Sequence, residues 1–282
     1  MSPTGQVPDL TVGLGFRLGL AEEILAGERS NAAFLEVCPE NYVGVGGRRK
    51  RLLDASRERF PILCHGLCGD LAGLAPVDVG LLREVRGFLR EVGAPWYSDH
   101  LCWTHIAGAE IHELVAMPYT AESVERAAAR IRQVREILEL PMAVENVSAY
   151  AFMGPPEMSE AAFMRAVVEE ADCQILLDVN NVYVNSVNFG FDARAYIAQL
   201  PLERVIQIHM AGYHEEAPDM LLDTHAAPIS DPVYELFAYT MDRMPHTVPV
   251  LLERDANFPP LAELEAELAR MAAIMEAAHG DR

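Results

Sequence analysis

Histidines and carboxylates recur in this chain at one kind of place, the polar end of a short apolar run. His65 ends ILCH, Asp99 and His100 end WYSDH, and Glu145 ends MAVE. Asp178 ends QILLD with Asn181 just beyond, His209 ends VIQIH, and Glu253 ends VPVLLE. Asp223 and His225 follow in the connection after the seventh run, two residues apart and so on one face of an extended segment. A single such residue means little, because a lone histidine is ordinarily a satisfied polar side chain and a lone Asp or Glu ordinarily caps the next helix. Six consecutive runs ending in His, Asp or Glu are a different matter. Gathered in one pocket, so many ionisable groups repel or protonate one another unless cations hold them. Four histidines, four carboxylates and an amide exceed the needs of one ion, so the set predicts two or three metals. Mixed imidazole and carboxylate donors without a clear thiolate suit Zn, Mn or Fe.

Positioning these residues takes a repeating scaffold, which the chain has. Val12 to Arg17 reads as a strand, followed by a helix through about Glu28. Phe34 to Pro39 is the second strand, with a Gly-rich loop and a helix near Arg49 to Arg59. Ile62 to Leu67 is the third, and its helix from about Val77 to Val92 carries Leu81, Leu82, Val85, Phe88, Leu89 and Val92 at helical spacing. Trp96 to Cys102 is the fourth and feeds a long helix from Thr120 to Leu138; Met142 to Val147 is the fifth, with a helix opening after Ser159. The stretch Gln174 to Asn185 holds the sixth strand, with a short helix after Phe191. Val205 to Gly212 is the seventh, followed by a longer connection and a helix at Asp231 to Arg243. Val248 to Asp255 is the eighth, with a last helix from Pro260 to about Ala278. Eight strands alternating with eight helices predict an α/β chain, a (β/α)8 TIM barrel in a single domain over residues 1–282. Its C-terminal mouth would collect the residues named above. A doubly wound open sheet is the alternative, but Gly13-x-Gly15 lacks the third glycine of its phosphate-binding turn.

Composition narrows the chemistry. The net charge of −20, from 42 acidic against 22 basic residues, repels phosphate backbones and argues against nucleic-acid binding. No apolar run approaches the ~18 residues that span a bilayer, and MSPTGQVPDL lacks the features of a signal peptide, so a cytoplasmic protein without a membrane partner is expected. Cys38, Cys64, Cys68, Cys102 and Cys173 read as reduced thiols and mostly as small buried hydrophobes. The single lysine, Lys50, lies in the run GGRRKR, which sets aside Schiff-base and pyridoxal-phosphate chemistry. That run works against the macrodipole of the helix it opens, and so slightly favours an anionic partner. His105, His112, His214, His246 and His279 fall away from strand ends and read as surface or capping residues.

The pieces LEVCPENY, CHGL, SDHL, ENVSAY, LLDVNNVYVN, IHMAGY, DTHAAPI and LLERD, in that order, closely resemble the DUF692 family, the multinuclear non-haem iron-dependent oxidative enzymes, of the methanobactin biosynthesis oxidase type. More distantly they resemble the endonuclease IV and xylose isomerase barrels. The resemblance implies that His65, His100, Glu145, Asp178, Asn181, His209, Asp223, His225 and Glu253 bind two or three irons, with O2 as co-substrate. It implies oxidative modification, typically at cysteine, of a ribosomally made precursor peptide, often presented by a small partner protein. A zinc-dependent abasic-site endonuclease and a metal-dependent sugar isomerase are the alternatives. The nuclease relatives carry a histidine where this chain has Asn181, which would weaken one of the three sites.

Overall fold

A computed structural model describes residues 11–27, 30–106 and 109–279. The N-terminal MSPTGQVPDL and Glu28 lie outside the described residues, as do the side chains of His112 and His279. The strands are β1 (Val12–Gly15), β2 (Phe34–Val37), β3 (Ile62–Gly66), β4 (Tyr97–His100), β5 (Cys102–Ile106) and β6 (Ala109–Ala116), followed by β7 (Met142–Glu145), β8 (Gln174–Asp178), β9 (Val205–Met210), β10 (His214–Ala217), β11 (Met220–Leu222) and β12 (Val250–Leu252). Eight of them close a parallel barrel in the order β1-β12-β9-β8-β7-β4-β3-β2. The remaining four form two hairpins, β5 with β6 and β10 with β11, each antiparallel.

The helices between them are α1 (Ala21–Ala26), α2 (Gly47–Arg57), α3 (Val79–Val92), α4 (Ala121–Leu138), α5 (Glu160–Ala171), α6 (Val179–Phe189), α7 (Ala193–Gln199), α8 (Asp231–Met241) and α9 (Leu261–His279). Their starts are set by side-chain caps: Asp78 accepts from Leu81 N, Thr120 from Ser123 N, and Ser159 from Ala162 N. Helix α3 buries Leu82, Val85, Phe88 and Leu89, the stripe its spacing predicts. Among the described residues no helix is long and apolar enough to cross a membrane.

Strand alternation divides the core. Outward residues such as Ile62, Cys64, Ile175, Leu177, Val250 and Leu252 join the large cluster packed under the helices. Phe34, Leu63, Trp96 and Leu251 form a separate cluster that plugs the barrel interior. Gly13 makes room for it, since a Cβ there would collide with the Phe34 ring. Two residues further along β2, β3 and β12 the inward positions change from apolar to ionisable, at Glu36, His65 and Glu253, while on β4 Ser98 comes between Trp96 and His100.

Two predicted elements differ. The stretch through Asn185 does not stay extended: the strand stops at Asp178 and α6 begins at once, because the Asp178 carboxylate accepts from Asn181 N at 2.6 Å and caps the helix. Asn181 therefore sits in a first helical turn. The fourth run also breaks early, with Cys102 opening the β5–β6 hairpin.

Candidate metal centre

The inward mouth-end residues of six consecutive barrel strands, or the residue just past the strand, are His65, His100, Glu145, Asp178, His209 and Glu253. Register brings them level: His100 pairs with Glu145 across β4 and β7, and Asp178 with His209 across β8 and β9. They form donor groups that could hold metal ions: His65, His100 and Glu145; Glu145, Asp178 and His209; and Asp178, His225 and Glu253. Glu145 belongs to the first two and Asp178 to the last two, so the groups make one chain linked by shared carboxylates. Asp99 is not part of it. Its carboxylate points outward, accepting from Tyr97 OH and Gly69 N at 2.8 Å each.

Asp223 and His225 do meet, Oδ1 to Nε2 at 2.7 Å, but not as neighbours on one extended face. His225 takes a left-handed backbone, φ +48°, which turns its ring back toward the mouth. Its Nδ1 lies 3.1 Å from Asp255 Oδ2 and 3.4 Å from Glu253 Oε2. Asn181 donates through Nδ2 to Asn146 O at 3.0 Å, while Asn180 Nδ2 donates to Asp223 Oδ1 at 2.8 Å.

The electrostatics demand positive charge. His65 Nε2, His100 Nε2 and Glu145 Oε2 are mutually 3.0 Å apart. Two imidazole lone pairs cannot face each other at that distance without a proton or a cation between them. In the metal-free protein the proton stands in: burial pulls His65 down, but the Glu145 charge outweighs it and its pKa rises to about 9. Burial and the neighbouring His65 charge push His100 down to about 4. Burial and then Glu145 and Asp223 raise Asp178 far above the carboxylate range. Burial would raise Glu253 too, but His225 and His209 hold it well below.

The donors fit metal ions on two counts. Asp178 Oδ2 and Asn181 Oδ1 are buried without a hydrogen-bond partner, which is costly for an atom with nothing to bind. Separations of 3.0 Å within the first group are also those of donors about 2.1 Å from one ion at about 90°. Above them opens a cavity of about 980 Å³ whose wall includes His65, His100, His225, Glu253, Cys38 and Cys68.

Several residues at the centre were not singled out in the sequence. Glu36 is 4% exposed and faces His209 Nε2 at 3.1 Å, and Gln207 contacts both. Arg17 Nη2 donates to Glu253 at 2.8 Å and Nε to Asp255 at 2.6 Å. The visible signal was a lone carboxylate inside the apolar run FLEV. Among the histidines set aside, His246 Nε2 donates to Val205 O and His214 faces Glu216, whereas His105 lines the cavity. The basic run is largely paired within the chain, Arg48 with Glu22 and Lys50 with Asp54 and Glu91.

Residues 11–276 match the model of a family described as RiPP precursor modification enzyme MbnB/TglH/ChrH. The chain belongs to this family. Similar members include a UPF0276 protein of Pseudomonas aeruginosa, 51% identical over 92% of this chain and 90% of the relative, and one of Shewanella amazonensis, 42% identical over 92% of each. Among solved structures the family barrel is similar to D-psicose 3-epimerase from Clostridium cellulolyticum, with TM-score 0.60, 10% identity and coverage of 95% of this chain and 96% of that one. It is also similar to 3-keto-D-glucoside 4-epimerase of E. coli, with TM-score 0.58, 14% identity and coverage of 94% and 99%. At such identities the likeness is one of fold.

Proposed function

We propose that this member of the family uses O2 and a centre of two or three iron ions to oxidise residues, typically cysteines, of a ribosomally made precursor peptide. His65, His100, Glu145, Asp178, Asn181, His209, Asp223, His225 and Glu253 would hold the ions. The observation that carries this reading is the group at the cavity floor. Two imidazoles and one carboxylate lie mutually 3.0 Å apart, and both imidazoles line an open cavity. Two histidines with one carboxylate are a donor set that would suit ferrous chemistry with O2. Iron there would supply one-electron chemistry with O2 and lower the pKa of a thiol that reaches it.

The chain's own side chains support such a site in three ways. A cavity of about 980 Å³ is large enough for a short peptide segment. Burial, and then the Glu40 charge, push the Cys38 and Cys68 thiols up, so neither wall cysteine competes as a thiolate with the cysteine of a substrate. Arg17, itself in the cavity wall, donates to Glu253 and Asp255 and holds both carboxylates in place. A small partner protein would present the peptide.

The test is anaerobic reconstitution of the purified protein with ferrous iron, then addition of O2 and any short cysteine-containing peptide found encoded beside its gene. Mass spectrometry should show an oxidised peptide. A fully iron-loaded protein that leaves the peptide mass unchanged, with and without any partner protein encoded beside it, overturns the reading. Nicking of an abasic duplex by the zinc-loaded protein would favour the hydrolase instead.

A further inference from the structure

Inside the barrel, below the donor groups, a run of hydrogen bonds starts at a group that can only donate. Trp96 Nε1 donates to Gln207 Oε1 at 3.2 Å. This fixes which way the Gln207 amide points, and its Nε2 donates to Glu36 Oε2 at 2.5 Å. The two Glu36 oxygens lie 3.1 and 3.3 Å from His209 Nε2. A carboxylate accepts, so that imidazole nitrogen carries the proton. The opposite tautomer would set the Nε2 lone pair against the Glu36 oxygens and leave it only the Gln207 amide at 3.2 Å.

Nδ1 is then the nitrogen turned to the centre, and it is a lone pair once an ion takes the place of any proton there. It is buried, 3.2 Å from Glu145 Oε1 and 3.3 Å from Glu253 Oε2. Glu36 itself belongs to none of the donor groups. It comes from β2, and among the barrel strands from β2 round to β12 it is the one inward mouth-end side chain that backs a donor instead of being one.

We propose that Glu36 is a positioning residue of the metal centre: it holds His209 with Nε2 protonated and so makes Nδ1 the donor, while Gln207 and Trp96 keep Glu36 in place. The other strand-end imidazoles, His65 and His100, turn Nε2 to the cluster. His209 presents its opposite nitrogen, so its tautomer decides whether it serves the centre at all. The inference rests on the metal reading above, but not on the identity of the metal or of the reaction.

The probe is Zn2+, which is diamagnetic, added to the full-length metal-free protein. Histidine-selective 15N NMR of the loaded protein should show His209 with Nε2 protonated and Nδ1 shifted by the ion. Competition with a chelator should show that Glu36→Leu weakens one binding step by about 10- to 100-fold. Glu36→Gln, which can still accept from Nε2 but has lost its charge, should keep the His209 tautomer and recover only part of that loss. Trp96→Phe should cost a few-fold. Thermal melting of the metal-free variants reports whether they fold, and if Glu36→Leu does not, the His209 tautomer in wild type and Glu36→Gln decides. His209 protonated at Nδ1, or a folded Glu36→Leu whose binding steps all stay within roughly two-fold of wild type, overturns the proposal. Wild-type protein that takes up no Zn2+ overturns the metal reading and this inference together; uptake that ignores Glu36 overturns the inference alone.

Discussion

The two flanks of the donor chain hold the same kind of side chain in different ways. On one flank His65 Nδ1 donates to Ser98 Oγ at 2.9 Å and His100 Nδ1 to Gly66 O at 3.1 Å, both neutral acceptors. On the other, His209 and His225 lean on the carboxylates of Glu36 and Asp255. A carboxylate behind an imidazole raises its basicity and pins its ring, and both strengthen a metal bond. The first flank also has no acidic group of its own, because its Glu145 is shared with the second. His65, His100 and His225 line the cavity, whereas His209 lies fully buried beneath it. On the proposed metal reading, an ion would be held more loosely beside His65 and His100 than beside His209 and His225.

The largest test of this comparison removes what the flanks share. Glu145→Ala should strip the metal from both, because two donor groups lose their common oxygen donors at once. Metal content by mass spectrometry after chelation and reloading should fall by at least two ions' worth relative to wild type. Loss of a single ion would mean that Glu145 serves one flank and that the groups are separate.

Next in size is Asp255→Asn, which leaves a neutral acceptor behind His225 and so gives it the kind of backing that His65 has. The ion on that flank should bind about 10- to 100-fold more weakly, or ~1.4–2.7 kcal/mol, read by competition with a chelator. Unchanged affinity would show that charge behind the ring is irrelevant and that the two flanks are equivalent.

Glu160 tests the same distinction away from the centre. Its carboxylate accepts only from neutral donors, Tyr196 OH at 3.1 Å and Asn185 Nδ2 at 3.0 Å. Burial raises its pKa to about 7 in spite of them, whereas His225 and His209 hold the buried Glu253 low. The native protein therefore binds a proton between about pH 4.3 and 7 that the unfolded chain does not. Stability from this group is greatest below about pH 4.3, falls as pH rises toward 7, and is flat above. Because the residue keeps partial solvent contact, the loss is ~1–2 kcal/mol. Urea unfolding of Glu160→Gln against wild type should show the variant gaining that much at pH 8 relative to pH 5. A pH-independent difference would refute the assignment.

How much of this was written in the sequence depends on the range of the interaction. The barrel was legible because strand-helix alternation and caps such as Asp78, Thr120 and Ser159 act locally. So was the gathering of strand ends, because a parallel barrel delivers every one to the same rim. Helix α6 was hidden because VNNVYVN is rich in β-branched residues, and a single side chain, Asp178 capping Asn181 N, decides its fate. The β5–β6 and β10–β11 hairpins were missed because CWTHIAGAEIHELVA and HEEAPDMLL carry no sustained alternation. Glu36 and Asp255 escaped for a different reason. Each acts on a histidine far along the chain, His209 or His225, and no spacing rule connects residues that meet only when the barrel closes.

The smallest effect is expected at Ser98. Its hydroxyl lies 3.4 Å from Cys64 O, to which it can donate, while its oxygen accepts from His65 Nδ1 at 2.9 Å. In Ser98→Ala the ring loses a neutral acceptor but stays caged by His100, its tilted neighbour at 4.2 Å between centroids, and by the edge of His209 at 5.1 Å. Metal affinity on the His65 flank should drop only a few-fold, under ~1 kcal/mol, the size of one neutral hydrogen bond. The informative quantity is its ratio to the Asp255→Asn effect. If Ser98→Ala costs as much or more, the first flank depends on its backing as strongly as the second, and the gradient from loose to firm binding across the mouth does not exist.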